Sequence, residues 1–179
     1  IVNVFCVEPA VAASITEALK EIHPVTLSSA ITIAYGTAVK RVGEKIFPYI
    51  SKNIDEIITV PDEDLVVSFL DMVENHKMVV ENSGLLTVAA IKHINVKDKK
   101  IVSILSGGNM DVITMSSIVS HGLIQRGRIF TVSVLLPDKP GELVRVAQIV
   151  ADAKGNVIKI EHNQFVSINR NAAVELRLT

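Results

Sequence analysis

Apolar residues recur along this chain in two rhythms. Three short and almost continuous apolar runs, IVNVFCV (1–7), DEIITV (55–60) and KIVSIL (100–105), have the pattern of strands covered on both faces. Between them, apolar positions fall at helical spacing. Pro9 opens a predicted helix reaching about Glu21, and Val39 to about Asn53 is a second, punctuated by Gly43. Pro61 and Asp62 start a third, with proline in the first turn and acids facing the dipole's positive end; Leu65, Val66, Phe69, Leu70 and Val73 form its stripe. Ser83 to about Ile94 and residues 111–121 are further helices, while 23–37 read as irregular. Alternating strands and helices predict an open, parallel α/β sheet. Three strands are few for such a sheet, so its remainder is expected upstream, and a start at Ile1 inside a core strand reads as a truncated front.

From Ile129 the pattern changes. GLIQRGR (122–128), short and polar with two glycines, reads as a linker between a domain at 1–121 and another at 129–179. Strand FTVSVLL, turn PDKPGE, helix LVRVAQIVADAK, a C-cap at Gly155, strand NVIKIEHNQFVS, turn INRN and strand AAVELRL follow in order. Val132, Val134 and Leu136 alternate, as do Val174, Leu176 and Leu178, so a half-buried antiparallel sheet with one helix on its face is expected. The β-α-β-β order is most of a ferredoxin-like unit, whose second helix and fourth strand are expected to lie outside these residues. An unpaired sheet edge is expected, either joined to another chain or poorly ordered.

Composition narrows the function. Of 179 residues, 49% are hydrophobic, ample for a core, while aromatics are 4% and Trp is absent, which argues against a base-stacking platform. Eighteen basic and nineteen acidic residues give a net charge of −1, so neither nucleic acid nor an anionic membrane is an expected partner. A lone Cys6 rules out an internal disulfide and fits a reducing cytosol, where it reads as a small buried hydrophobe. The five histidines are scattered and make no zinc pattern. The apolar runs are too short and interrupted to span a membrane.

The stretch ILSGGNMD (104–111) carries the most chemistry. A strand running into Ser106, Gly107 and Gly108 ahead of a helix offers backbone N–H groups and a hydroxyl to a small ligand. The same residues also suit a plain tight turn whose glycines permit positive φ. Glu81 in VVENSG and Gly36 in ITIAYG strengthen the ligand reading. Glu8 ends the first strand, where a carboxylate serves either an ion or only solvent. Lys40-Arg41 suits an anion or a solvated pair. In LPDKPGEL, Pro140 and Gly141 leave helix-start N–H groups free for a carboxylate, or simply stiffen the turn.

Taken in order, EPAVAAS, TIAYGTAVKRVGE, DEIITVPDED, VVENSG and ILSGGNMD resemble blocks of the threonine ammonia-lyases, β-family (fold type II) enzymes that use pyridoxal 5'-phosphate. VLLPDKPGELVRVAQIVADAKGNVIKIEH resembles the start of an ACT domain, the regulatory module many of these enzymes carry. The resemblance implies a partial fold type II sheet followed by a truncated ACT domain. It implies that Ser106 faces the pyridine nitrogen, that Glu81 and Gly36, with Gly107 of the same turn, lie beside the cofactor, and that Glu8, the Ala12 carbonyl and Ser14 hold a mono- or divalent cation. It further implies an amino-acid effector at Asp138, Pro140, Gly141 and Glu142. The implied reaction turns L-threonine into 2-oxobutanoate and ammonia, and L-serine into pyruvate. The implied protein is a cytoplasmic homo-oligomer of amino-acid metabolism, under allosteric control, serving isoleucine biosynthesis or threonine breakdown.

Two motifs depart from the family pattern. Ala34-Tyr35-Gly36 stands where A-D-G is common, and Glu81-Asn82-Ser83-Gly84 where E-G-A-G is. The family's cofactor-binding lysine and Gly-rich phosphate loop match nothing here, so no catalytic residue is expected in these residues and the chain alone is expected to be inactive. A non-catalytic amino-acid-binding module and a serine racemase or dehydratase are the alternatives.

Overall fold

Two of the apolar runs pair with each other. Phe5–Pro9 (β1) and Glu56–Val60 (β2) lie parallel, Val7 opposite Ile58 and Pro9 opposite Val60. The computed structural model describes residues 2–163 and 173–179. It divides into two units, Ile1–Gln125 and Arg126–Thr179.

In the first unit the helices are Ser14–Glu21 (α1), Phe47–Asn53 (α2), Asp62–Asp71 (α3), Asn82–Ala89 (α4) and Val112–Gln125 (α5). The predicted stripe of α3 is the centre of the core. Leu65, Val66 and Phe69 pack with Leu85, Leu86 and Ala89 of α4, Ile118 of α5, and Ile58 and Val60 of β2. A smaller core joins α1 to α2 through Ala18, Val42 and Phe47.

Several boundaries differ from expectation. A short 3-10 turn, Ala10–Ala12, precedes α1, and the backbone breaks at Ala13. The second helix starts only at Phe47. Pro48 sits in its first turn, where a missing N–H costs nothing, whereas a helix already running would clash there. The third predicted strand does not form: residues 100–105 are in no sheet among the described residues. The run packs along α4 instead. The Thr87 hydroxyl donates to the Ile104 carbonyl at 3.1 Å, and the Ser103 hydroxyl donates to the Thr87 carbonyl at 3.3 Å. With no strand beside it, Val102 and Ile104 stay 89% and 74% exposed. Finally, α5 continues through Gly122–Gln125, part of the expected linker. Gly122 permits this, since a Cβ there would sit 2.6 Å from Leu70 Cδ1 of α3.

The second unit holds Val132–Pro137 (β3), Glu142–Asp152 (α6), Ile160–Asn163 (β4) and Ala173–Leu178 (β5). Its antiparallel sheet has the order β3-β5-β4. Leu136 packs with Val174, Leu176 and Leu178, the last three on the alternating positions of β5, and Val134, Val146 and Val157 flank them. The predicted strand at 156–167 begins only at Ile160. The turn INRN at 168–171 lies outside the described residues.

Candidate functional site

The site rests on how the loop at 32–36 is tied down. Asp62, first residue of α3, accepts hydrogen bonds from the Thr32 hydroxyl at 2.6 Å and the Ile33 N–H at 2.9 Å. The Thr32 hydroxyl oxygen in turn accepts the Ala34 N–H. From the other side, at the start of α4, the Asn82 side-chain amide donates to the Ile33 carbonyl at 3.0 Å, and Ser83 Oγ accepts the Gly36 N–H at 2.8 Å. A short irregular loop is thus held from two helix starts, its N–H and C=O groups answered by side chains.

The segment around Gly107 closes the opposite wall. The Glu81 N–H donates to the Gly107 carbonyl at 3.3 Å, and Glu81 Oε2 accepts the Asn109 N–H at 3.2 Å. Gly107 has φ +77°, and a Cβ there would lie 2.2 Å from Glu81 Cδ. Glycine is therefore required twice over, by backbone conformation and by the carboxylate against it. Glu81 Oε1 is also 3.6 Å from the point where a side chain at Gly36 would begin. The carboxylate bridges the two glycine motifs.

Between these walls is a pocket of about 260 Å³ lined by Tyr35, Gly36, Glu81, Asn82, Ser83 and Asp111 among others. Asp111 also starts α5, accepting the Thr114 N–H at 2.9 Å and the Thr114 hydroxyl at 2.5 Å. The Thr114 hydroxyl, then the Thr114 N–H, hold the Asp111 carboxyl below the usual aspartate range. Asn82 is 4% exposed, and its Oδ1 is buried with no hydrogen-bond partner among the described residues. Such an orphan costs about 1–3 kcal/mol when left unmet.

The expected site residues separate accordingly. Gly36 and Glu81 line the pocket, and Gly107 lies against the Glu81 carboxylate but, like Ser106, is exposed and not among the lining residues. Ser106 is next to them in sequence but exposed and absent from the pocket lining, its carbonyl pressed against Gly84 of α4. Sequence reasoning passed over Asn82 and Ser83 as mere departures, although a polar pair in place of two small residues was a signal. Glu8 is buried, and its carboxylate caps α1 by accepting the Ile15 N–H at 3.0 Å and the Thr16 N–H at 2.7 Å. Ala12 and Ser14 are buried nearby in sequence. Among the described residues no three His, Cys, Asp or Glu side chains gather as a metal site. Lys40 reaches the Ser28 carbonyl and Arg41 pairs with Glu44. In the second unit Gly141 has φ +95° and precedes α6, the Arg145 N–H donating to its carbonyl at 3.0 Å; Asp138, Pro140 and Glu142 flank it. The Cys6 thiol is pushed up by burial and then by the charge of Glu8. No helix among the described residues is long and apolar enough to cross a membrane.

Comparison with known proteins gives this geometry a family. An L-threonine ammonia-lyase of Geobacter sulfurreducens is 37% identical over 165 residues, 91% of this chain and 41% of that protein. The solved threonine deaminase isoform 2 of Solanum lycopersicum matches with TM-score 0.60 at 32% identity, covering 66% of this chain and 36% of that one. Maize serine racemase matches with TM-score 0.57 at 29% identity, covering 66% and 40%. The chain spans roughly a quarter to two fifths of the length of the curated relatives it matches. The residues present fit the ring of pyridoxal phosphate in that Gly36 lines the pocket with backbone alone and the Glu81 carboxylate lines it beside Gly36. None of the lining residues is Lys, Arg or His, so among them nothing meets a phosphate or an aldehyde. The family described as pyridoxal-phosphate dependent enzyme matches residues 1–107, a run that includes Gly36, Glu81 and Gly107, and the chain belongs to that family.

Proposed function

We propose that this chain supplies the ring-facing part of the cofactor pocket in an L-threonine ammonia-lyase. The supporting observation is that three motifs far apart in sequence meet at one pocket through the Glu81 carboxylate, in a chain 37% identical to such an enzyme. The cofactor, when bound, supplies an electron sink for negative charge at the substrate's α-carbon. Gly36 would present backbone alone to a flat ring, and Glu81, steadied by the Asn109 N–H, offers a carboxylate beside it. Ser106 would donate its hydroxyl to the ring nitrogen without protonating it, which favours β-elimination over transamination. A cation at Glu8, Ala12 and Ser14 would share the Glu8 carboxylate with the Ile15 and Thr16 amides.

Under this reading the products are 2-oxobutanoate and ammonia from L-threonine, and pyruvate from L-serine. The second unit is an ACT domain that binds an amino-acid effector at Asp138, Pro140, Gly141 and Glu142 in a cytoplasmic homo-oligomer. The β3-α6-β4-β5 order, with β5 between the other strands, supports that assignment. The test is release of 2-oxobutanoate from L-threonine by the full-length protein with pyridoxal phosphate. Absence of release overturns the reading. The match to maize serine racemase favours a second reading, tested by chiral analysis of the products from L-serine.

A further inference from the structure

We infer that Tyr35 is a specificity-determining residue of the pocket, its aromatic ring supplying the apolar surface on which the side chain of a bound amino acid packs. The inference rests on the proposal that this pocket receives the cofactor ring and its amino-acid substrate.

Tyr35 opens a short 3-10 turn, Tyr35–Thr37, whose backbone is fixed on both sides. Before it, Ala34 is fully buried and donates its N–H to Thr32 Oγ1 at 3.1 Å. After it, Ser83 Oγ accepts the Gly36 N–H, and the Ala38 N–H donates to the Tyr35 carbonyl at 3.2 Å. The side chain has no such employment. Tyr35 lines the pocket, yet it is 74% exposed and belongs to none of the hydrophobic clusters of the described residues. The other large apolar lining residues are committed elsewhere: Ile33 and Met110 pack against the core around α3. Glu81 and Asp111 line the pocket as carboxylates, and Gly36 offers backbone alone. Ligand pockets hold their occupants chiefly against apolar and aromatic side chains, and no other lining residue is aromatic. The ring stands on ordered backbone and has two torsions left to fix, so it gives contact area at low entropic cost. Its exposure puts it on the solvent side of the pocket, where the molecule exchanged at each turnover must pass. A methyl on the β-carbon, present in threonine and absent from serine, would find its cover there. Burying one such group is worth a factor of about four in Kd.

The experiment compares L-2-aminobutanoate with L-alanine by titration calorimetry, in the full-length protein with pyridoxal phosphate. These amino acids differ by one methylene, and neither has a β-hydroxyl to lose. The unsubstituted protein is expected to bind L-2-aminobutanoate about fourfold more tightly. Tyr35→Ala should bring the two Kd values together, and Tyr35→Phe, which keeps the ring, should restore the preference. Tyr49→Ala is the control: Tyr49 is 69% exposed on α2 and is not a lining residue, so the preference should survive there. In fluorotyrosine-labelled protein, the ¹⁹F signal that Tyr35→Phe removes should shift on adding L-2-aminobutanoate. Three calorimetric results overturn the role of the ring and leave the ring-pocket reading standing: no preference in the unsubstituted protein, a preference intact in Tyr35→Ala, or one lost in Tyr35→Phe. If neither amino acid binds, both readings fall. An unmoved ¹⁹F signal at Tyr35 with the ligand bound also overturns the inference, even where Tyr35→Ala does not fold.

Discussion

The Ser83 hydroxyl oxygen accepts the Gly36 N–H at 2.8 Å, joining two motifs that both depart from the pattern of the related enzymes. An alanine at position 83 could not make this bond. Ser83→Ala is expected to destabilise the first unit by about 0.5–1 kcal/mol, since the Gly36 amide is exposed enough to find water instead. Urea unfolding measures the loss, and faster hydrogen exchange at Gly36 locates it. Ser83→Thr, which keeps the hydroxyl, should behave like the unsubstituted chain.

A second expectation concerns Gly84. A Cβ at this position would lie 1.9 Å from the Ser106 carbonyl oxygen and 2.9 Å from Val80 Cγ1. The first neighbour is backbone and cannot step aside alone. Gly84→Ala should cost about 1–3 kcal/mol, the range for overpacking, and should shift the Ser106 and Gly107 amide signals. Unchanged spectra would mean that the 104–107 segment is not held against α4.

Glu8 serves the start of α1 from a neighbouring strand end. Because it is buried and accepts two helix N–H groups, Glu8→Gln should lose charge and dipole complementarity worth about 1 kcal/mol. Glu8→Ala, which leaves both amides without their acceptor, should lose about 1–3 kcal/mol. Circular dichroism through urea unfolding compares the two.

Asp111 links α5 to pH. Its carboxyl titrates lower in the folded chain than in the unfolded one, because the Thr114 hydroxyl and N–H favour the ionised form. Its contribution is therefore complete above the unfolded value of about 3.9 and is lost as pH falls through the lower folded value. The Thr114 amide signal should follow that titration at acidic pH, and Asp111→Asn should abolish it while keeping the cap.

The helix stripes were legible because their spacing alone decides which face is buried: Leu65, Val66 and Phe69 pack as the periodicity requires. The run at 100–105 was not, because a strand is defined by the strand beside it, and composition says nothing of neighbours. Val102 and Ile104 have strand-forming side chains but stay exposed, in no sheet among the described residues, with the Thr87 hydroxyl of α4 on the Ile104 carbonyl. The site was half legible. Gly36, Glu81 and Gly107 could be singled out as residues, yet that one carboxylate lies against Gly107 and lines the same pocket as Gly36 is a matter of packing. Asn82 stood out in the sequence only as a departure from the family pattern, since its buried, partnerless oxygen is visible only in three dimensions.

The order β3-β5-β4 has a consequence for how the second unit comes into being. Among the described residues both β3 and β4 pair with β5, which follows them in sequence. During synthesis from the N-terminus, the pairing of these two strands with β5 waits until Ala173–Leu178 has left the ribosome. Substitutions that unseat β5 would therefore loosen both of its neighbours together rather than one edge alone.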